Sequence, residues 1–426
     1  MQDVPPTSAA RTSPRATWQQ RYAQVRGHTL ALVAPLSAED QCVQSMPDAS
    51  PAKWHLAHTT WFFETVVLPQ GQADYRPFDA RFLYLFNSYY EALGPRHPRP
   101  QRGLLTRPSA AEVQAYRAHV DAAMERLIQH CDDTAWERVR PLLLLGLHHE
   151  QQHQELILTD LLHLLSCNPL LPAYDRASAP ALRLAASPQA MRWLAMPGGV
   201  LSIGHQPDAR DDDFSFDNET PRHAVLLAPY AIADRLVTCG EYAQFIADGG
   251  YRRPEYWLSD GWATVQAQGW QAPLYWIRPD DPRVAALHGL PVAPWYVYGL
   301  HGPRPLDPDA PVSQLSFYEA AAYAEWAGAR LPTEQEWEAA ASTPGLQQAT
   351  GFVWQWTRSS YDPYPGFRPL PGVATEYNGK FMVGQLVLRG SSIATPEGHT
   401  RPSYRNFFPP ATRWQFSGLR LAKDAA

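Results

Sequence analysis

Hydrophobic and polar positions repeat with helical spacing through about the first 180 residues of the chain. Apolar side chains recur three and four positions apart, which is the pattern of an amphipathic helix. Four helices are predicted, and their expected ranges are 16–33, 50–67, 109–130 and 134–165. Ser50, Ser109–Glu112 and Thr134–Glu137 are the expected N-terminal caps, and Pro141 is expected to kink the fourth helix. Together they predict a four-helix bundle, whose core is a usual place for metal sites.

The fourth helix carries the polar pattern that bears most on function. Within its leucine-rich part, Leu142–Leu165, lie His149 and His153, with Gln152 between them. Positions four apart share one face of a helix, so both imidazoles can bind one ion and Gln152 projects on nearly the same side. Glu150 lies about 100° round the helix from His149 and does not easily join them. The pattern predicts a metal centre that takes a further ligand from another helix.

Two other interpretations fit the same residues. His149-Glu150-x-x-His153 matches the zinc-protease helix in which the glutamate is the general base, but no H-x-x-G-x-x-H extension follows it. A buried helix whose histidines are merely hydrogen-bonded is the alternative without a metal. Two histidines at this spacing beside a glutamine favour the metal centre over both.

The second predicted helix offers the missing ligand. It contains His55 and His58, which flank one face but cannot both point directly inward. His58 lies on the side of Trp54 and Trp61, which is expected to be buried, so we choose His58 and keep His55 as the alternative. Three neutral imidazoles suit zinc, iron and copper about equally, and the spacing does not name the metal.

The pattern changes after a Pro/Ala/Ser-rich stretch, residues 169–190, which is predicted to be a linker. Beyond Trp193, short apolar runs alternate with turns, and capping boxes at Ser316–Glu319 and Thr333–Glu336 open two short helices. The chain is therefore predicted to contain two domains, a bundle over 1–180 and an aromatic-rich α+β domain over 190–426.

Composition narrows the classes of partner. The net charge of −6 gives no electrostatic case for binding nucleic acid or an anionic membrane. The N-terminus lacks the pattern of a signal peptide, and no apolar run approaches the roughly 18 residues of a membrane span. The four cysteines have no C-x-x-C spacing, which suits reduced thiols. We expect a cytoplasmic protein, and the sequence does not indicate its oligomeric state.

Two resemblances cover nearly the whole chain. Trp54–Glu64, together with His149-x3-His153-x-Glu155, resembles the DinB-like bundle of the non-haem iron sulfoxide synthases of ergothioneine and ovothiol biosynthesis. The remainder resembles the formylglycine-generating-enzyme-like domain, a relative of the C-type lectin fold. The segments that carry this second resemblance are Met196–Gly199, Asp217–Pro221, Arg330–Glu338 and Ser417–Ala422. They imply an α+β multidomain fold in which a DinB-like four-helix bundle precedes a C-type-lectin/formylglycine-generating-enzyme-like α+β domain.

The resemblance also implies an activity. It implies an Fe(II) enzyme that uses O₂ to join a cysteine thiol to the imidazole C2 of Nα-trimethylhistidine (hercynine), giving a sulfoxide. His58, His149 and His153 match the family's iron ligands, and Gln152 matches the amide that hydrogen-bonds the substrate imidazole. Alternatives are an ovothiol-type 5-histidylcysteine sulfoxide synthase, a zinc-dependent DinB-like thiol transferase, and a lectin-like binding module without catalysis. A structural calcium ion is left open.

Residues near the end of the chain match the family's substrate site. Asn406 and Phe407 fall where the family holds the trimethylammonium-bearing substrate, and a cation beside an aromatic face is favourable. Phe408 stands where some members carry an acid that binds the amine of a glutamyl donor, which favours cysteine over γ-glutamylcysteine as the thiol. No cysteine follows Ser392, so the formylglycine-generating activity itself is not expected.

The long connection between the second and third helices supplies the last candidates. A tyrosine near iron can donate a proton or hydrogen atom and so favour C–S bond formation over oxidation of the thiol, and Tyr89 or Tyr90 is expected to do this. Arg96 and Arg99 fall where the family holds the carboxylate of the thiol substrate, a role that suits a guanidinium group. Structural packing for the tyrosines and solvated loop positions for the arginines are the alternatives.

Overall fold

The computed structural model describes residues 14–175, 190–208, 210, 212–285 and 290–425 of the 426-residue chain. Most of the predicted linker, residues 176–189, lies outside the described residues. The helices of the first part precede this gap and all described strands follow it. The boundaries of the two domains therefore remain predictions.

The N-terminal part is helical. Its helices are α1 (Pro14–Val33), α2 (Ala52–Phe62), α3 (Phe82–Phe86), α4 (Ala110–His130) and α5 (Asp133–Ser166). The four long helices α1, α2, α4 and α5 pack against one another, which confirms the predicted four-helix bundle. The short α3 was not predicted and lies in the long connection between α2 and α4. A π-helical turn, Phe63–Val67, continues α2.

The helix starts agree only in part with the predicted caps. Ser109 and Glu112 form the predicted capping box at the start of α4. The predicted cap at Thr134 is wrong, because α5 begins at Asp133 and the carboxylate of Asp132 accepts the N–H of Ala135. An aspartate is as good a cap as a threonine, and this one lies two residues earlier. The helix α5 continues through Pro141 without a break.

The predicted N-cap at Ser50 is also wrong. Pro51 is the N-cap residue of α2, and the side chain of Ser50 does not cap the helix. Instead the Ser50 N–H donates to the Asp160 carboxylate at 2.7 Å, and the Ser50 hydroxyl accepts a bond from Arg102 at 2.9 Å. The polar atoms of Ser50, which the local pattern assigned to an N-cap, thus bond to residues that are distant in sequence.

Helix α2 is buried along its whole length. It packs against α4 and α5, and Gly146 of α5 permits this close approach. A Cβ atom at Gly146 would lie 2.6 Å from the ring of Phe63, so a larger residue would push the helices apart. The polar residues of α2 are thus enclosed by protein on every side.

The C-terminal part combines short strands and helices, as predicted. The strands are β1 (Trp193–Met196), β2 (Gly199–Ile203), β3 (His223–Leu227), β4 (Tyr230–Ala233), β5 (Trp276–Ile277), β6 (Tyr296–Gly299), β7 (Gly302–Pro305), β8 (Trp354–Ser360), β9 (Leu386–Gly390), β10 (Asn406–Phe408), β11 (Ser417–Gly418) and β12 (Ala422–Asp424). The helices are α6 (Cys239–Ala247), α7 (Ser259–Gln268), α8 (Pro282–Ala285), α9 (Phe317–Trp326) and α10 (Glu334–Ala340). The capping boxes predicted at Ser316 and Thr333 open α9 and α10.

The strands in the described residues form four small sheets. Their orders are β1-β4-β12, β10-β9-β8-β11, β2-β3 and β5-β6-β7. Pairing is antiparallel except between β8 and β11, which run parallel. Sheets this small need cover from helices and loops, and the abundant aromatic side chains supply it. Among the described helices, none combines the length and the apolar character that a membrane crossing requires.

One glutamate joins the bundle to the C-terminal domain. The carboxylate of Glu155 on α5 accepts bonds from Trp354 Nε1 at 2.7 Å, Ser392 Oγ at 2.6 Å and Thr395 Oγ1 at 2.8 Å. Glu155 is buried, so an unpaired carboxylate there would be costly and its three donors fix the contact. Helix α5 is thereby held against the C-terminal domain.

Candidate functional site

Three histidines converge inside the bundle. One ring nitrogen from each of His58, His149 and His153 lies within 4.8 Å of the other two. Their exposed fractions are 0%, 2% and 8%. Within the described residues, this is the one group of three histidine, cysteine or acidic side chains that could share an ion.

Helix geometry and aromatic packing bring these rings together. His149 and His153 are one helical turn apart on α5, while His58 faces them from α2. The indoles of Trp54 and Trp61 lie nearly parallel to the His58 ring, with centroids 4.6 Å and 5.5 Å away. The stack fixes the plane of the His58 imidazole before any ligand is bound.

The hydrogen bond of His58 determines which nitrogen is available. His58 Nδ1 donates to the carbonyl oxygen of Phe86 at 2.6 Å, so a neutral His58 keeps its lone pair on Nε2. That Nε2 atom lies 3.2 Å from Nε2 of His149. A hydrogen bond from the other ring nitrogen is typical of a metal-binding histidine, because it fixes both the tautomer and the ring orientation.

Burial keeps these imidazoles neutral. It lowers the pKa of His149 to about 3 and the pKa of His58 and His153 well below 6.5. Nδ1 of His149 is buried and has no hydrogen-bond partner. If Nδ1 of His149 carries the proton, the Nε2 lone pairs of His149 and His58 face each other. Two facing lone pairs repel, and a cation bound by both would remove that repulsion. Neutral imidazole is the form that binds a metal, so the three residues fit one.

His55, the alternative ligand, is buried but makes different contacts. Its Nδ1 lies 2.8 Å from Nδ1 of His153, and its Nε2 donates to the Asp160 carboxylate at 3.0 Å. Both of its nitrogens are therefore engaged, one by His153 and the other by Asp160. This geometry groups His58, and not His55, with the two histidines of α5.

Glu150 does not point into the site. Its carboxylate accepts bonds from Thr29 at 2.6 Å and from Arg26 and Arg117 at 2.9 Å each. Burial opposes its ionisation, but the two guanidinium groups outweigh that effect and lower the pKa of Glu150 to about 2. A carboxylate held in this way cannot serve as the general base of a zinc protease, so that interpretation of the motif fails.

Gln152 is held by two tyrosines of the C-terminal domain. Tyr377 donates to the side-chain oxygen of Gln152, and the Gln152 amide donates to the hydroxyl of Tyr404 at 2.7 Å. The Tyr404 hydroxyl lies 3.3 Å from Nε2 of His399. The Tyr377 ring lies 5.7 Å from the His149 ring. The sequence did not assign a role to either tyrosine. Tyr377 lies in no local motif, and Tyr404 stands two residues before Asn406 in the segment that was expected to bind the substrate.

The predicted donor tyrosines lie beside this group. Tyr89 and Tyr90 stack with their ring centroids 4.6 Å apart, and the Tyr89 ring lies 6.4 Å from that of Tyr377. The indole of Trp61 stands 5.5 Å from both Tyr90 and His58, so Tyr90 reaches the histidines through that ring. Burial raises the pKa of Tyr90 and Tyr377 well above 10, so both phenols keep their protons near neutral pH.

The two predicted arginines have other partners. Arg96 pairs with Glu91, and Arg99 is exposed and donates to the carbonyl oxygen of Asp48. Neither side chain has a recorded contact with His58, His149 or His153. The buried guanidinium near the site is that of Arg102, which sequence reasoning did not single out.

Arg102 is enclosed without a carboxylate partner among the described residues. Its guanidinium lies 3.4 Å from the ring centroid of Trp54, the indole that stacks on His58. It donates to the hydroxyls of Ser50 at 2.9 Å and Ser88 at 3.4 Å, and its Nε has no partner. Burial lowers the pKa of Arg102, because a charge in this place lacks full solvation. The site thus contains an incompletely satisfied cation.

The predicted C-terminal substrate residues lie on β10. The ring of Phe407 stacks on Tyr361 at 4.0 Å and lies 6.0 Å from Phe381, which in turn contacts Tyr89. The Asn406 side-chain oxygen accepts the N–H of Phe407, which leaves the Asn406 amide hydrogens free of that bond. Phe408 is half-buried and packs against the main core. A chain of aromatic contacts therefore joins Phe407 to the tyrosines beside the histidines.

Comparisons with known protein families agree with this two-part arrangement. The DinB superfamily model matches residues 21–157, and the sulfatase-modifying factor enzyme 1-like domain model matches residues 183–344 and 341–425. These matches confirm both domain types that the sequence predicted. The formylglycine-generating enzyme of Streptomyces coelicolor is 33% identical, over 37% of this chain and 49% of its own.

Bacterial relatives match along nearly the full chain. Hercynine oxygenase of Mycolicibacterium smegmatis is 33% identical, over 96% of this chain and 99% of its own. Hercynine oxygenase of Mycobacterium tuberculosis is 33% identical, over 94% of this chain and 97% of its own. Ergothioneine biosynthesis protein 1 of Schizosaccharomyces pombe is 25% identical, over 50% of this chain and 28% of its own.

Proposed function

Because this chain belongs to the hercynine oxygenase family, with a relative that is 33% identical over 96% of this chain, we propose that it joins cysteine to hercynine. The thiol sulfur becomes bonded to imidazole C2, and the product is the sulfoxide. One atom of O₂ ends on sulfur, and the other leaves as water with the thiol hydrogen and the C2 hydrogen. The reaction belongs to ergothioneine biosynthesis.

One observation carries the proposal. Three buried neutral imidazoles share a centre, and the amide of Gln152 lies on the same helical face between two tyrosine hydroxyls. His58, His149 and His153 would hold Fe(II) through one nitrogen each. Three protein ligands leave coordination positions for small molecules, as in other catalytic metal sites. Bound Fe(II) would supply the one-electron chemistry with O₂ that the coupling needs.

The residues around the histidines have separate roles in this proposal. Gln152 orients the hercynine imidazole, since Tyr377 and Tyr404 fix the direction of its amide. Asn406 and Phe407 hold the trimethylammonium and carboxylate end. Phe408 leaves the thiol side without an acid for a glutamyl amine, so cysteine is the expected donor.

Arginine binds the cysteine carboxylate. Arg96 and Arg99 are the candidates from the sequence, but their contacts with Glu91 and Asp48 compete with this role. Arg102 suits it better, because it is a buried cation without a carboxylate partner among the described residues, and a substrate carboxylate would satisfy it.

A phenol beside the histidines protonates or hydrogen-bonds the reacting group. Tyr89 and Tyr90 are the candidates from the sequence, and the ring contact with His149 adds Tyr377. All three keep their protons at neutral pH, because burial raises their pKa values above 10.

Reconstitution of the full chain tests the proposal. Metal-free protein is loaded with Fe(II) without oxygen, and hercynine, cysteine and then O₂ are added. Mass spectrometry should detect a product equal to both substrates plus one oxygen atom and minus two hydrogen atoms. Zinc-loaded protein and Fe(II)-treated His149→Ala protein are the controls, and neither should form it.

Parallel reactions separate the alternatives. Histidine in place of hercynine tests an ovothiol-type activity, and γ-glutamylcysteine in place of cysteine tests the sulfur donor. Thiol consumption by the zinc form without O₂ uptake would instead indicate a DinB-like thiol transferase and overturn the proposal.

A further inference from the structure

A second histidine and a carboxylate lie directly behind His153. His55 Nδ1 is 2.8 Å from His153 Nδ1, and His55 Nε2 is 3.0 Å from a carboxylate oxygen of Asp160. His55 is 2% exposed and Asp160 is 7% exposed. The three side chains form a buried line from Asp160 through His55 to the three-histidine group.

The proton positions along this line follow from Asp160. A carboxylate accepts hydrogen bonds, so His55 Nε2 must donate to it. A neutral His55 then has its lone pair on Nδ1, and His153 Nδ1 must be the donor between the two rings. The lone pair of His153 is left on Nε2, which is the nitrogen free for a metal.

We propose that His55 and Asp160 are positioning residues that hold His153 in its metal-binding tautomer and raise the basicity of its Nε2. This inference rests on one part of the proposed function, namely that the three histidines bind a metal ion. Neither residue touches the ion. His55, the alternative ligand by sequence, acts through His153 instead.

A further contact of Asp160 links the Asp160–His55–His153 line to the packing of the helices. The same carboxylate oxygen accepts the N–H of Ser50 at 2.7 Å, which ties α5 to the residue just before the start of α2. The Asp160 carboxylate therefore lies beside the start of a helix, where backbone N–H groups favour an acceptor. The carboxylate oxygen that accepts from His55 Nε2 in turn fixes the position of the proton on His55.

The three histidines differ in the hydrogen-bond partner of their Nδ1 atom. His58 donates to a neutral backbone carbonyl, and Nδ1 of His149 has no partner. Only His153, among these three, is backed by a line that ends in a carboxylate. Such outer contacts increase the electron-donating strength of a ligand, so His153 is expected to form the strongest of the three bonds.

Metal affinity of the full-length chain tests this inference. His55→Phe keeps a ring of similar size but removes the acceptor for His153 Nδ1. His55→Gln keeps an acceptor oxygen, and Asp160→Asn removes the charge. His163→Gln is the matched control, since His163 lies on the same helix and bonds Ser45 at 2.7 Å, away from the three-histidine group. Thermal unfolding without metal checks that each variant folds.

Dissociation constants for Co(II) and Fe(II) are measured by competition with a chelator. We expect His55→Phe to bind about 10–100-fold more weakly, with a shifted visible spectrum of the Co(II) form. Asp160→Asn should weaken binding less, His55→Gln should recover part of the loss, and His163→Gln should match the wild type. A purely structural role for His55 would change the melting temperature but not the Co(II) spectrum.

Two outcomes overturn the inference. Unchanged Co(II) affinity and spectrum in His55→Phe would show that the line has no effect on His153. Complete loss of binding in both His55 variants, as in His149→Ala, would make His55 a ligand. Failure of the proposed function would be seen separately, as wild-type protein that binds Co(II) tightly but forms no sulfoxide with Fe(II).

Discussion

The two sides of the candidate site are held in different ways. On the bundle side, the contacts that orient His58 and His153 come from the N-terminal part itself, namely Phe86, His55 and the stacked indoles. On the other side, the amide of Gln152 is oriented by tyrosines of the C-terminal domain. Neighbouring residues on one helix thus depend on different parts of the molecule.

This difference separates two functions that the site combines. Metal binding should depend on the bundle, because its ligands and their outer contacts are all there. The orientation of the imidazole substrate should depend on the contact between the domains, which Glu155 secures. Substitutions on one side should therefore leave the function of the other side largely intact.

The largest effect is expected from a ligand on the bundle side. His149→Ala should reduce Fe(II) affinity by more than about 100-fold, since outer contacts alone contribute 10–100-fold, and turnover should be lost. The fold should persist, because the leucines of α5 and the Glu150 network remain. Metal analysis, circular dichroism and product assay measure these effects. Full iron occupancy and activity in this variant would exclude His149 as a ligand.

Helical periodicity explains how much of this side the sequence could predict. The spacing of His149 and His153 fixes their shared face, and the tryptophans beside His58 predict that this residue is buried. Every residue of α2 is buried, however, so burial alone does not separate His58 from His55. Local pattern could not predict that Ser50 would bond Asp160 and Arg102 instead of capping α2. Those partners are distant in sequence, and their competition for one serine appears only once the helices have packed.

On the other side of the site, local sequence pattern predicted fewer of the residues involved. Gln152 is recognisable from its place on the helix, whereas Tyr377 and Tyr404 come from loops more than 200 residues later. Arg102 was missed for a similar reason, because three arginines lie in one short segment and only tertiary packing buries one of them. The C-terminal strands are short and irregular, so the sequence predicted their class but not their order.

The next largest effect is expected from the phenol nearest the histidines. Tyr377→Phe should slow sulfoxide formation by about 100-fold, the usual contribution of a positioned acid, and raise the fraction of cysteine sulfinic acid. Metal affinity should not change, because no ligand is touched. Tyr89→Phe and Tyr90→Phe are the matched comparisons, and product ratios are measured at equal O₂ uptake. A larger change in either of them would return the role to the pair that the sequence indicated.

A smaller effect is expected from the buried guanidinium. Arg102→Gln should raise the KM for cysteine about 10–100-fold, because a charged hydrogen bond contributes about 1.5–3 kcal/mol. The KM for hercynine should change little. Arg96→Gln and Arg99→Gln are the controls, and each should change the KM by less than about fivefold, since exposed pairs contribute about 1 kcal/mol or less. A larger increase of the KM for cysteine in Arg96→Gln or Arg99→Gln than in Arg102→Gln would support the carboxylate site that the sequence predicted.

The smallest effect is expected from the outer contact of Gln152. Tyr404→Phe removes the hydroxyl that accepts from the Gln152 amide at 2.7 Å but keeps the ring and its packing. A neutral hydrogen bond contributes about 0.5–1.5 kcal/mol, so hercynine should bind roughly 2–12-fold more weakly. Metal affinity and the KM for cysteine should stay the same, which is the separation that the two sides imply. Titration of the Co(II)-loaded protein with hercynine measures this without turnover, and Gln152→Ala, which should lose more, sets the upper limit. Equal weakening for cysteine and hercynine in Tyr404→Phe would mean that the two sides are not independent.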